Sequence, residues 1–133
     1  MKLKLQESTE SRRIALKRLE PFAESTYLHQ VVEKRFDGSF HTYSDLIDAL
    51  PLLQKTAGKE WRIHFHVPIF LDDYQTVKST QKDIKTVLKL LEENPVCSNL
   101  EIETYSWEVL PSEMKKDLAA SIQREYEWVL SQF

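Results

Sequence analysis

The chain has 133 residues, 41% hydrophobic and 29% charged, with a formal net charge of −3, which are the proportions of one ordinary globular unit. Acidic and basic residues are mixed along its length, so no basic run of the kind that nucleic-acid binding demands is present. A single cysteine, Cys97, excludes a disulfide framework and a CxxC zinc site and points to a reducing cytoplasm, two glycines exclude glycine-rich phosphate loops, and no apolar run is long enough to span a bilayer.

Residues 1–6 alternate polar and apolar, which predicts a short strand. Ser8 or Thr9 caps the helix that follows, and Ile14, Leu16, Leu19 and Phe22 give it an apolar stripe that Pro21 and the Glu24-Ser25 turn close. Residues 26–33 are mostly β-branched and aromatic and predict a second strand. Asp37-Gly38 is a turn signal with a hairpin return over residues 40–43, and Ser44 then caps a short helix through Leu46, Ile47 and Leu50.

The most informative stretch is residues 60–70. At a period of two, Trp61, Ile63, Phe65 and Val67 point to one side, and Arg62, His64 and His66 to the other. Two imidazoles and a guanidinium suit a cavity or cleft better than a second core face. Pro68 lacks the N–H that a continuing central strand needs, so the strand ends near Val67 with His66 at its mouth. After the loop at residues 71–75, Thr80 and Asp83 resemble a capping box, and Ile84, Val87, Leu88 and Leu91 mark an amphipathic helix that Asn94-Pro95 stops. Residues 100–105 predict a fourth strand, and Pro111-Ser112 opens a last helix carrying Met114, Leu118, Ile122, Tyr126 and Val129 on one face.

Strand and helix thus alternate four times, which predicts parallel strands joined by helical crossovers within a single domain, residues 1–133. Parallel strands covered on both faces are apolar throughout, whereas two of these alternate with His, Arg or Glu. A barrel reconciles the two patterns, and four units are half of one: a (βα)4 half of a TIM barrel.

The blocks Tyr27-Leu28-His29-Gln30-Val31-Val32, Trp61-Arg62-Ile63-His64-Phe65-His66-Val67-Pro68 and the run of residues 100–111 resemble the C-terminal part of the EboE-type metabolite traffic proteins. Those belong to the xylose-isomerase-like TIM barrels, with the sugar phosphate isomerases and epimerases. The resemblance implies that the four strands are strands five to eight. It also implies a divalent metal (Mn, Zn, Mg or Fe) held by His66 and Glu103, with His64 beside it in a catalytic or substrate-contacting role and Glu33 as the nearest candidate for a further acidic ligand.

The residues themselves leave alternatives open. A histidine and a carboxylate at neighbouring strand ends serve as metal ligands, as a base with its orienting partner, or as a self-satisfied buried network. His29 is a substrate contact or a satisfied core polar group. Arg62 holds an anionic substrate or pairs with Glu101, and Tyr105 and Trp107 stack on a metabolite or cap the barrel mouth. The expected function is metal-assisted isomerase or epimerase chemistry on a small cytoplasmic metabolite, with no nucleic acid and no membrane insertion. A non-catalytic escort component and an inactive half-barrel are the alternatives. Open edges at residues 2–6 and 100–105 predict a homodimer or pairing with a missing N-terminal half-barrel.

Overall fold

The computed structural model describes residues 1–5, 8–65, 67–74, 77–103 and 117–133. The chain divides into two compact units, Met1–Phe65 with Asp73–Lys78, and His66–Asp72 with Ser79–Phe133.

The first unit is built on a sheet of order β3-β2-β4-β1-β6-β5, formed by β1 (Lys2–Lys4), β2 (Val31–Arg35), β3 (Phe40–Tyr43), β4 (Gly58–Ile63), β5 (Asp73–Tyr74) and β6 (Val77–Lys78). Each of its pairings is antiparallel, which overturns the parallel half TIM barrel expected from the sequence. The crossover through α1 (Thr9–Leu19) does return the chain in the direction of β1, because β1 and β2 both run antiparallel to β4. The two strands are not neighbours, however, since β4 inserts between them. A helix-length connection sets relative direction and leaves adjacency open. The alternation that suggested a barrel is what an antiparallel sheet with one wet face displays.

Several boundaries move for local reasons. The strand expected over residues 26–33 begins only at Val31, because the Glu24 carboxylate accepts the backbone N–H groups of Thr26 at 2.5 Å and Tyr27 at 3.1 Å and holds that segment in a turn. Ser8 caps α1 as expected, but Asp45 rather than Ser44 caps α2 (Leu46–Ala49), accepting from Leu46 N–H at 2.6 Å. Asp73–Tyr74 and Val77–Lys78 pair as a hairpin where a loop was expected. Residues 100–103 form no strand; the rest of the expected fourth strand and the Pro111-Ser112 helix start lie outside the described residues.

On the inner face of the sheet Leu3, Val31, Trp61 and Ile63 are at most 2% exposed, and Ala15, Leu19, Leu46, Ala49 and Leu53 complete a buried apolar core. Glu33 stands in the middle of it, only 2% exposed and directly opposite Trp61 in the register. Its Oε2 accepts from Thr56 Oγ1 at 2.5 Å, Trp61 Nε1 at 2.9 Å and Tyr43 Oη at 3.4 Å, and Arg35 Nε lies 3.4 Å from Oε1. Burial works against ionisation, but the donated hydrogen bonds and the Arg35 charge outweigh it, so the carboxyl titrates below the usual glutamate range. Burial and the facing Glu33 charge push the Tyr43 phenol up. Gly58 provides the clearance, since a Cβ there would lie 2.6 Å from Glu33 Cδ.

The second unit contains α3 (Gln81–Glu93), α4 (Leu118–Leu130) and the loop at residues 67–72. The two helices clamp the Ile69 peptide from both sides: Gln81 Nε2 donates to Ile69 O at 2.9 Å, and Ile69 N–H donates to Glu125 Oε1 at 3.0 Å. The Arg124 guanidinium stacks 4.2 Å from the Phe70 ring centroid and Lys85 Nζ lies 5.8 Å from that of Trp128. Glu125 is 3% exposed, and burial pushes its carboxyl above the ordinary range against the opposing pull of the Ile69 N–H. Among the described residues no helix is long and apolar enough to cross a membrane.

The two buried glutamates predict opposite pH responses. The Glu33 contribution is fully present above the unfolded value of about 4.3 and is lost as pH falls through the lowered folded value. Glu33→Gln therefore costs about 2–3 kcal/mol at pH 7 and much less at pH 3, as read from urea midpoints. Gly58→Ala destabilises by about 1–3 kcal/mol through overpacking against Glu33, measured in the same way. The Glu125 contribution is full below about pH 4.3 and is lost as pH rises through the raised folded value. Glu125→Gln keeps an acceptor for Ile69 N–H without a buried charge. It is expected to increase protection of the Ile69 amide at pH 8, after correction for intrinsic exchange, and to leave it unchanged at pH 4.

Candidate functional site

The outer face of the same sheet is polar because β1, β2 and β4 each alternate. Register places Arg62, Lys2 and Lys78 directly opposite one another across β4, β1 and β6. A row of three like charges destabilises a sheet unless counter-charges intervene. Glu60, in the neighbouring row, supplies one: its carboxylate lies 3.1 Å from Lys2 Nζ and 2.7 Å from Arg62 Nε. Burial opposes its ionisation, but the bonds from Arg62 and Lys2 prevail and hold it below the usual range. Asp73, opposite Lys78 in the hairpin, pairs with that lysine. Lys4, opposite Glu60 in the register, is exposed and has no ion-pair partner among the described residues.

Beside β1 this basic row borders a groove of about 660 Å³, within the range of small-molecule sites. Leu3, Leu5, Ile14, Ala15 and Leu53 supply apolar lining, and Lys2, Lys4, Arg12 and Lys78 supply four cationic side chains; Ser11 completes the wall. Arg12 is held in place from α1, its Nη1 donating to Thr56 O at 2.7 Å and Leu53 O at 3.2 Å. Among the described residues the lining includes no carboxylate and no imidazole. Cationic side chains favour an anionic group, and apolar ones favour an apolar body.

The sequence-predicted residues that are described fall in both units. Arg62 and His64 do share the polar side of one segment, as the period of two indicated, but they face the open side of a sheet rather than a barrel interior. His64 lies just past β4, where its N–H donates to Gln30 O at 2.9 Å and its Nδ1 is 3.1 Å from Gln30 Oε1. Arg62 pairs with Glu60; Glu101 belongs to the second unit. His29 is buried, with Nε2 3.7 Å from Glu24 Oε1 and its ring 5.1 Å from that of Phe65, a core position. Glu33 is committed to the core network. Glu103 is exposed coil in the second unit, and His66, Tyr105 and Trp107 lie outside the described residues.

A divalent metal needs three or more ligands converging on one point. Among the described residues no three His, Cys, Asp or Glu side chains do so. His64 pairs with Gln30, and His66, the first of the two implied ligands, lies outside the described residues. What sequence reading missed is the groove. The Lys2-Leu3-Lys4-Leu5 alternation signalled a polar edge, but Arg12, Leu53 and Lys78 join it only through the fold. No family model, curated protein or solved structure matches the chain.

Proposed function

We propose that the protein is a non-catalytic binding module that captures a small anionic metabolite with an apolar body, such as an alkyl phosphate or a long-chain carboxylate, in the groove between β1 and α1. The observation that supports this reading is that Lys2, Lys4, Arg12 and Lys78 line one groove of about 660 Å³ together with Leu5 and Ile14. The anionic group sits among the ammonium groups and the pre-positioned Arg12. The hydrocarbon part covers Ile14 and the margin of Leu5. Each apolar carbon buried adds about 0.8 kcal/mol, and the cations select the sign of the head group. With one cysteine in the sequence, exposed at Cys97, the module suits a reducing cytoplasm.

The test is isothermal titration with dodecyl phosphate and, as a fluorescent probe, anilinonaphthalene sulfonate. Both are expected to bind one site, and dodecyl phosphate is expected to displace the dye while dodecyltrimethylammonium does not. Lys4→Glu, at an exposed position without an ion-pair partner among the described residues, is expected to weaken dodecyl phosphate about tenfold or more, equivalent to ~1.4 kcal/mol. Lys34→Glu, on β2 away from the groove, is expected to change it less than twofold. Equal displacement by the cationic detergent, or an unaltered Lys4→Glu affinity, overturns the reading.

A further inference from the structure

Among the described residues the sheet ends in two edges of unequal character. β5 is blunted by its length of two residues and by Asp73, the kind of device that keeps exposed strands from pairing. β3, at the other end, has four residues, Phe40-His41-Thr42-Tyr43, with no Lys, Arg, Asp, Glu or Pro. Phe40 is 66% exposed.

The direction of its free hydrogen-bonding groups follows from the hairpin. Arg35 N–H donates to Ser39 O at 2.9 Å, so residues 35 and 39 form a hydrogen-bonded pair. Alternation along the register makes Glu33 with His41 and Val31 with Tyr43 the next such pairs. The peptide groups of His41 and Tyr43 therefore turn to β2, and those of Phe40 and Thr42 turn away from the sheet. Two copies related by a two-fold axis can then pair Phe40 of each with Thr42 of the other, making four N–H···O bonds with His41 opposite its own copy at the axis. This register uses every outward peptide group of the strand, places no charged residue opposite another, and covers both Phe40 rings.

We propose that the protein self-associates through antiparallel pairing of β3 with β3 of a second copy, continuing the two sheets into one. The strand is short, so the dimer is weak. Its interface falls below the ~1,200 Å² class, and association is expected at roughly 0.1–1 mM.

Sedimentation velocity over that range is the test. The wild type is expected to shift from monomer to dimer. His41→Lys, which sets like charges across the axis and faces Glu33 with the opposite sign, is expected to remain monomeric at 1 mM with unchanged circular dichroism. Thr42→Pro removes an outward N–H without touching the ladder to β2 and is likewise expected to be monomeric. A wild type that stays monomeric at 1 mM assigns the edge to solvent or to a foreign strand and overturns the proposal. So does a His41→Lys protein that dimerises normally.

Discussion

The first unit depends on a buried carboxylate. A charge with 2% exposure is tolerated only when its lone pairs are filled, and Glu33 draws its donors from separate places: Tyr43 in β3, Thr56 before β4, Trp61 within β4 and Arg35 on its own strand. Sliding any of these strands by one residue would turn Glu33 to the wet face or carry the donors away. The network therefore acts as a register lock for β3, β2 and β4. Gly58 belongs to the lock through its missing side chain, which leaves the space the carboxylate fills.

Once β4 is fixed, the groove follows. Leu3 sits opposite Trp61, so β1 takes its place beside β4 with Lys2 and Lys4 on the other face. Arg12 reaches the carbonyls of Leu53 and Thr56, the latter being the residue whose hydroxyl serves Glu33. The core network and Arg12 thus share a turn, which fixes that guanidinium beside the groove. The second unit uses a buried glutamate otherwise. Glu125 holds a single backbone N–H among its described contacts and is pushed towards the neutral form, whereas Glu33, richly donated to, is held as the anion.

The alternation over residues 60–67 separated Trp61 and Ile63 from Arg62 and His64, and the structure keeps that separation. The inference to a barrel failed at the next level. Helical connectors and polar-apolar alternation were reconciled by closing the sheet, when inserting β4 between β1 and β2 satisfies both. The second strand was overextended because propensity cannot see Glu24 capturing the N–H groups of Thr26 and Tyr27. His29 was open to two readings, a substrate contact or a core polar group, and only the structure shows it buried beside Phe65 and Glu24. Lys78 carried no signal at all, since its partners Lys2 and Asp73 are set by pairing.

By itself the sequence determined the elements whose cause is local: the Asp37-Gly38 hairpin, with Gly38 at a φ of +87°, the helix capped by Ser8, the amphipathic α3, and the side of β4 on which each residue lies. These follow from steric limits, capping chemistry and periodicity within a few residues. Only the tertiary structure decided the order of strands, the burial of Glu33, and the gathering of Lys2, Lys4, Arg12 and Lys78 around one groove. Those depend on which strand lies beside which, a choice made by long-range packing and by the requirement that a buried charge find donors from distant parts of the chain.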